Sequence, residues 1–260
     1  LDSIYALAER HDLDTLAWLI DPEEKPDYAF YETLIGESPG LVMDAGCGTG
    51  RLMTVLLQAG FKVEGCDISE LLLDLCRKNV TAAGFEPVLY HTPVQDLAFT
   101  NKYSVILLAC GTFQCLTNGR DVEKCLAAFR QNLVPGGRIA LSIMPASYLH
   151  RANGPFPTPW EPYYEFKFPE NAGDLIVDWR ATSMDVREQV VKEECRYHWV
   201  KDGKTVREET DPGEHRWYHR EQLTKMLHDS GFKDVEIVAN YSRELPITDT
   251  VPLCYVATRA

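Results

Sequence analysis

The sequence has no run of apolar residues approaching the ~20 needed to cross a bilayer. It has no Cys-x-x-C pair and no cysteine–histidine spacing of a zinc site, which excludes a zinc module or a dithiol redox motif. It has no cluster of lysine or arginine, and 39 acidic against 26 basic residues give a net charge of −13. Such a surface repels phosphate backbones and disfavours a nucleic-acid partner. No internal repeat and no low-complexity tract is present, so neither a solenoid nor a disordered linker is expected. The opening Leu1-Asp2-Ser3-Ile4 lacks the basic and apolar regions of a secretory signal. The expectation is therefore a cytoplasmic protein, with its eight cysteines as free, mostly buried thiols. At 260 residues, 45% hydrophobic and 25% charged, the chain suits one large globular domain carrying an insertion.

What is present begins with Leu41-Val42-Met43-Asp44-Ala45-Gly46-Cys47-Gly48-Thr49-Gly50. An apolar strand runs into alternating glycines, and a helical pattern follows from Arg51. A second strand, Lys62-Val63-Glu64-Gly65-Cys66, ends on Asp67. Glycines at a strand-to-helix turn let the backbone approach a ligand, and an acid at the next strand tip is placed to accept from a ribose diol. The order points to a nucleoside cofactor. The dinucleotide fingerprint G-x-G-x-x-G needs a third glycine at position 51, and the chain has Arg51 there.

The pattern Asp44-x-Gly46-x-Gly48-x-Gly50 resembles motif I of the class I S-adenosylmethionine-dependent methyltransferases. Leu133-Val134-Pro135-Gly136-Gly137 resembles the turn before their fifth strand. Tyr218-His219-Arg220-Glu221-Gln222-Leu223, with Gly231-Phe232, resembles the final helix and strand of their small-molecule branch. The resemblance implies an α/β fold, a doubly wound, mostly parallel seven-stranded sheet. It implies S-adenosylmethionine as cofactor and S-adenosylhomocysteine as product.

Alternating strands (41–45, 62–66, 87–91, 103–108, 137–144) and helices (51–59, 69–83, 120–133) agree with a parallel sheet covered on both faces. The chain divides into an N-terminal helical cap (1–40), the cofactor-binding core (41–144), an antiparallel β insertion after strand five (145–215), and a C-terminal helix with the last two core strands (216–260). In the insertion, alternating stretches at 174–184 and 187–200 precede Asp202-Gly203, the centre of a tight hairpin, and a strand at 205–210 returns from it. Relatives use such an insertion to cover the site or to join subunits, so a homodimer through it is one expectation.

The resemblance assigns cofactor contacts residue by residue. Gly46, Gly48 and Gly50 line the methionyl and ribose region, with Cys47 a small residue filling the turn. Asp44 either organises the loop or faces the cofactor ammonium. Asp67 holds the ribose hydroxyls, and Ile68 packs on the adenine. Relatives use an acid on the adenine amino group where this chain has Pro93, so that edge passes to the Val94 backbone amide and Gln95. Ala109, Cys110 and Gly111 end strand four beside the cofactor, with Phe113 and Gln114 near the transferable methyl. The Asp/Asn-Pro-Pro-Tyr/Phe tetrapeptide of many amino-group methyltransferases is absent. Tyr5, Trp18, Tyr28 and Tyr31 are either an aromatic lid over the cleft or ordinary helix-packing aromatics. Tyr148, His150 and Trp160 open the insertion, His150 as a general-base candidate. The expected activity is methyl transfer to oxygen or nitrogen of a small-molecule acceptor, with no metal. Alternatives are a protein acceptor, a nicotinamide-dependent oxidoreductase and a non-catalytic cofactor-binding scaffold.

Overall fold

The computed structural model describes residues 27–145, 154–167 and 173–260. They fall into two compact units, one of residues 27–145 with 217–260, the other of residues 154–167 and 173–216. Tyr5, Trp18, Tyr148 and His150, with most of the expected N-terminal cap, lie outside the described residues.

The larger unit is built on a seven-stranded sheet. Its strands are β1 (Leu41–Ala45), β2 (Lys62–Asp67), β3 (Val88–His91), β4 (Tyr103–Leu108), β5 (Leu133–Ile143), β10 (Phe232–Ala239) and β11 (Leu253–Arg259). The spatial order is β10-β11-β5-β4-β1-β2-β3. β1 to β5 run parallel, and β11 runs against both β5 and β10. The chain leaves β1 towards β2 and β3, then crosses back to β4. The strand order therefore reverses between β1 and β4, where open α/β sheets bind ligands at their carboxyl ends.

Strand periodicity divides the core. Met43 and Ala45 of β1, with Ile106 and Leu108 of β4, pack on α4 (Gly119–Asn132) and α5 (Arg220–Asp229). Val42, Val105 and Leu107 point the other way, onto α1 (Asp27–Gly36), α2 (Arg51–Gln58) and α3 (Glu70–Ala82). All six residues of β4 are buried, so this strand reads as a continuous apolar run rather than an alternation. Ser69 caps α3, its hydroxyl accepting from the Leu72 N–H at 3.2 Å, and Asn118 caps α4 in the same way through the Arg120 N–H at 2.9 Å.

The Pro135-Gly136-Gly137 segment departs from the expected turn. β5 starts at Leu133, opposite Tyr103, and pairing resumes at Arg138 opposite Val105. The segment is a bulge inside a paired strand, because Leu133 already lies against β4 before the chain kinks.

The smaller unit is an antiparallel sheet in the order β6 (Glu161–Lys167), β7 (Asp174–Asp185), β8 (Val190–Lys201) and β9 (Lys204–Arg216). Sequence reading missed β6 among its prolines and ended β9 six residues early. Both strands lie at sheet edges, where Pro162 and Pro212 forfeit no ladder donor. No helix among the described residues is long and apolar enough to cross a membrane.

Candidate cofactor site

The loop between β1 and α2 is pinned to the end of β2. The N–H groups of Gly46 and Cys47 both donate to the Cys66 carbonyl, at 2.8 and 2.9 Å. The next donor, the Gly48 N–H, reaches the Asp67 carboxylate at 2.9 Å. The other oxygen of Asp67 accepts the Ser69 N–H, also at 2.9 Å. One carboxylate thus joins the glycine loop to the N-terminus of α3, where helix partial charge favours it. Asp67 is 8% exposed and retains lone pairs for a further donor.

Two glycines of the loop serve different ends. Gly50 has φ +85°, and a Cβ there would lie 2.7 Å from the Cys76 sulfur; it allows α2 to pack on α3. Gly48 has φ +53°, but a Cβ there meets nothing within 4 Å. The loop therefore presents bare backbone to open space at Gly48. Cys47 faces inward: its sulfur would meet a Cβ on Gly65 at 2.8 Å. The neighbouring Cys76 thiol and burial hold it well above the usual thiol range, so it fills space as a protonated group.

Asp44 is 2% exposed, and its Oδ2 has no hydrogen-bond partner. Burial pushes its carboxyl up to about 7, opposed by the Arg51 charge and by the Met53 N–H, and reinforced by Asp67 and Asp27. Arg51, the first residue of α2, makes a two-pronged contact with Asp27 at 2.8 and 3.3 Å. Its guanidinium also lies 3.2 Å from the Cys110 sulfur and 5.0 Å from the centre of the Tyr28 ring.

On the other side of β1, β4 ends in a tight turn. Cys110 and Gly111 take successive left-handed conformations, φ +53° and +74°. The Thr112 N–H closes the turn on the Ala109 carbonyl at 3.1 Å. The turn places the Thr112 methyl where a Cβ on Gly46 would come within 2.7 Å. Beyond β3, a 3-10 turn holds Val94, Gln95 and Asp96. The Thr92 N–H ties its start to the Asp67 carbonyl at 3.1 Å. The glycine loop, Asp67, the 94–96 turn and the 109–111 turn therefore stand together at the carboxyl ends of four adjacent strands.

Residues 42–137 match the family model described as a methyltransferase domain. This segment, which runs from β1 into β5 and holds the glycine loop, Asp67 and both turns, is a methyltransferase domain. The YqeM protein of Bacillus subtilis is 20% identical over 225 residues, covering 85% of each chain. An S-adenosylmethionine-dependent methyltransferase from Clostridium acetobutylicum superposes with a TM-score of 0.75 at 20% identity, covering 92% of this chain and 93% of its own. CalS10, an amino pentose methyltransferase from Micromonospora echinaspora, gives 0.70 at 19% identity, covering 100% and 98%.

Around this domain the structure relocates several expected residues. Phe113 is fully buried and packs on Tyr218, with ring centres 5.4 Å apart; it belongs to the core. Gln114 is also buried. Its amide oxygen accepts the Met144 N–H at 2.7 Å, which fastens the end of β5 to the turn after β4. Neither side chain faces open space. Tyr31 is no lid residue either; it is fully buried against Phe30 and Tyr241. Tyr28 is half-buried beneath the Arg51 guanidinium. The guanidinium groups of Arg180 and Arg196, on the small sheet, each lie 4.3 Å from the centre of the Trp160 ring. Ile68 is 69% exposed beside Asp67, Gln95 is half-buried, and Val94 turns its side chain into the core, leaving only its backbone for a ligand.

Three participants escaped the sequence reading. Arg51 registers there only as a missing glycine, and Asp27 does not register at all. Tyr241 follows a strand with no motif; its hydroxyl is 2.6 Å from that of Ser142.

Proposed function

We propose that this methyltransferase moves a methyl group from S-adenosylmethionine to an oxygen or nitrogen of a small molecule. The observation that carries this reading is the Asp67 carboxylate, fixed by the Gly48 and Ser69 N–H groups beside the open face of Gly48. The residues fit the cofactor on three counts. Asp67 retains acceptor capacity for a vicinal diol. The bare Gly48 backbone leaves room for a close approach. The unpartnered, buried Asp44 oxygen suits a cationic amino-acid tail.

S-adenosylmethionine, when bound, supplies a methyl carbon on a sulfonium that is already activated as a leaving group. The protein's task is then to orient and to exclude water. Asp67 would orient the sugar, and the Gly46–Gly50 loop would support the tail. Ile68, the Val94 backbone and Gln95 would line the base. The Ala109–Gly111 turn would bound the side on which the acceptor arrives. The net charge of −13 favours a small acceptor over nucleic acid. The fold shared with an amino pentose methyltransferase makes amino sugars the first acceptors to try.

Calorimetry should show S-adenosylhomocysteine binding and no comparable binding of NAD. Labelled S-adenosylmethionine, incubated with amino sugars and hydroxylated aromatics, should yield label in a small-molecule product. Tight NAD binding would reject the cofactor reading. Cofactor binding with label appearing only on added protein would reject the small-molecule acceptor.

A further inference from the structure

The buried Asp44 carboxylate has one oxygen without a partner, an arrangement that is unfavourable unless the charge is compensated or the group takes up a proton. Asp44 shares the sheet face of Val42, which packs on α1 and α2. On that side, the head of α2 supplies the Arg51 charge and the Met53 N–H. The tip of β2 supplies the Asp67 carboxylate, α1 supplies Asp27, and the thiols of Cys47 and Cys66 complete the titratable surroundings among the described residues. Among these groups Arg51 is the single cation.

Arg51 is not free to swing away. Asp27, itself 2% exposed, grips its guanidinium at two nitrogens, and Tyr28 and Cys110 flank it. A bidentate arginine–carboxylate pair fixes orientation as well as distance. The helix that carries Asp27 therefore holds a positive charge in place at the floor of the glycine loop.

We propose that Arg51, clamped by Asp27, is a positioning residue that keeps the buried Asp44 carboxylate charged for the cationic tail of the cofactor. This rests on the cofactor reading above. In it, Arg51 touches no ligand. It acts through Asp44, and α1 contributes to cofactor binding by holding Arg51.

The test is the pH dependence of S-adenosylhomocysteine affinity, measured by calorimetry between pH 5.5 and 9. In the unaltered protein, affinity falls about tenfold per pH unit below the Asp44 titration near 7, because protonation removes the charge that meets the ammonium. Arg51→Met removes the cation, and the break in the profile moves about one unit or more to alkaline pH. Arg51→Lys keeps the charge, and its break stays near that of the unaltered protein even where affinity is lower. Should Arg51→Met fail to fold, Arg51→Gln retains a donor for Asp27 and is read in the same way. A purely structural arginine would lower affinity at every pH and leave the break in place, and that result would overturn the proposal. An unaltered protein that binds no S-adenosylhomocysteine would instead overturn the cofactor reading.

Discussion

The Gly48 backbone N–H donates to the Asp67 carboxylate across 2.9 Å, although nineteen residues separate them in sequence. The acid therefore holds the loop in shape while it keeps lone pairs for a further donor. Asp67→Asn keeps an acceptor for Gly48 but loses the charge. S-adenosylhomocysteine affinity in calorimetry should fall at least ~10-fold, about 1.4 kcal/mol. Unchanged affinity would separate Asp67 from the cofactor.

Gly48 and Gly50 should respond differently to alanine. At Gly50 the added methyl meets the Cys76 sulfur at 2.7 Å in a left-handed backbone, so Gly50→Ala should cost ~2–4 kcal/mol of stability in denaturant titration. At Gly48 the methyl enters open space, so the stability cost should stay near the ~1 kcal/mol of the left-handed backbone. Its methyl would stand where the ligand is expected, and affinity should fall by more than stability does. Equal effects of the two substitutions on binding would contradict the open-face assignment.

Asp44 links pH to stability. Its carboxyl stands at about 7 in the folded protein against an ordinary 3.8. Between those values the folded state holds a proton that the unfolded state has released, so this group's contribution falls as pH rises from about 4 to 7 and is level above. Asp44→Asn removes that slope. Without ligand its thermal midpoint should exceed that of the unaltered protein at pH 8, and the advantage should shrink as pH falls through 5 and vanish near pH 4. It should also bind S-adenosylhomocysteine poorly. A variant no more stable at pH 8 than at pH 5, relative to the parent, would place the strained charge elsewhere.

Gln114 separates a structural amide from a ligand contact. Gln114→Leu leaves the Met144 N–H unpaired, at a cost of ~1–3 kcal/mol. The thermal midpoint should drop by roughly 2–4 °C for each kcal/mol lost in a domain of this size. Cofactor affinity should change little. A loss of affinity without a loss of stability would return Gln114 to the ligand face.

The glycine loop and the acid that joins it were legible because they are local. Gly46, Gly48 and Gly50 alternate along one turn, and Asp67 closes the very next strand. A strand–turn–helix–strand unit places such residues together whatever the rest of the chain does. The seven-stranded sheet was legible for a similar reason, since a strand buried on both faces, such as Tyr103–Leu108, must be apolar throughout. Strands β6 and the end of β9 were hidden because proline argues against a strand unless the strand is known to lie at an edge, and edge position is a property of the finished sheet.

The sequence by itself determined the parallel sheet, the place of the glycine loop and the acid opposite it, because backbone conformation and periodicity are set within a few residues. Only the tertiary structure decided which side chains face a ligand and which face the core. Phe113, Gln114 and Tyr31 carry the right chemistry for a pocket yet spend it on Tyr218, Met144 and Tyr241. Arg51 carries no motif yet joins Asp27 to the floor of the site. Burial and charge partnership arise between elements distant in sequence, and they exist only after those elements have packed.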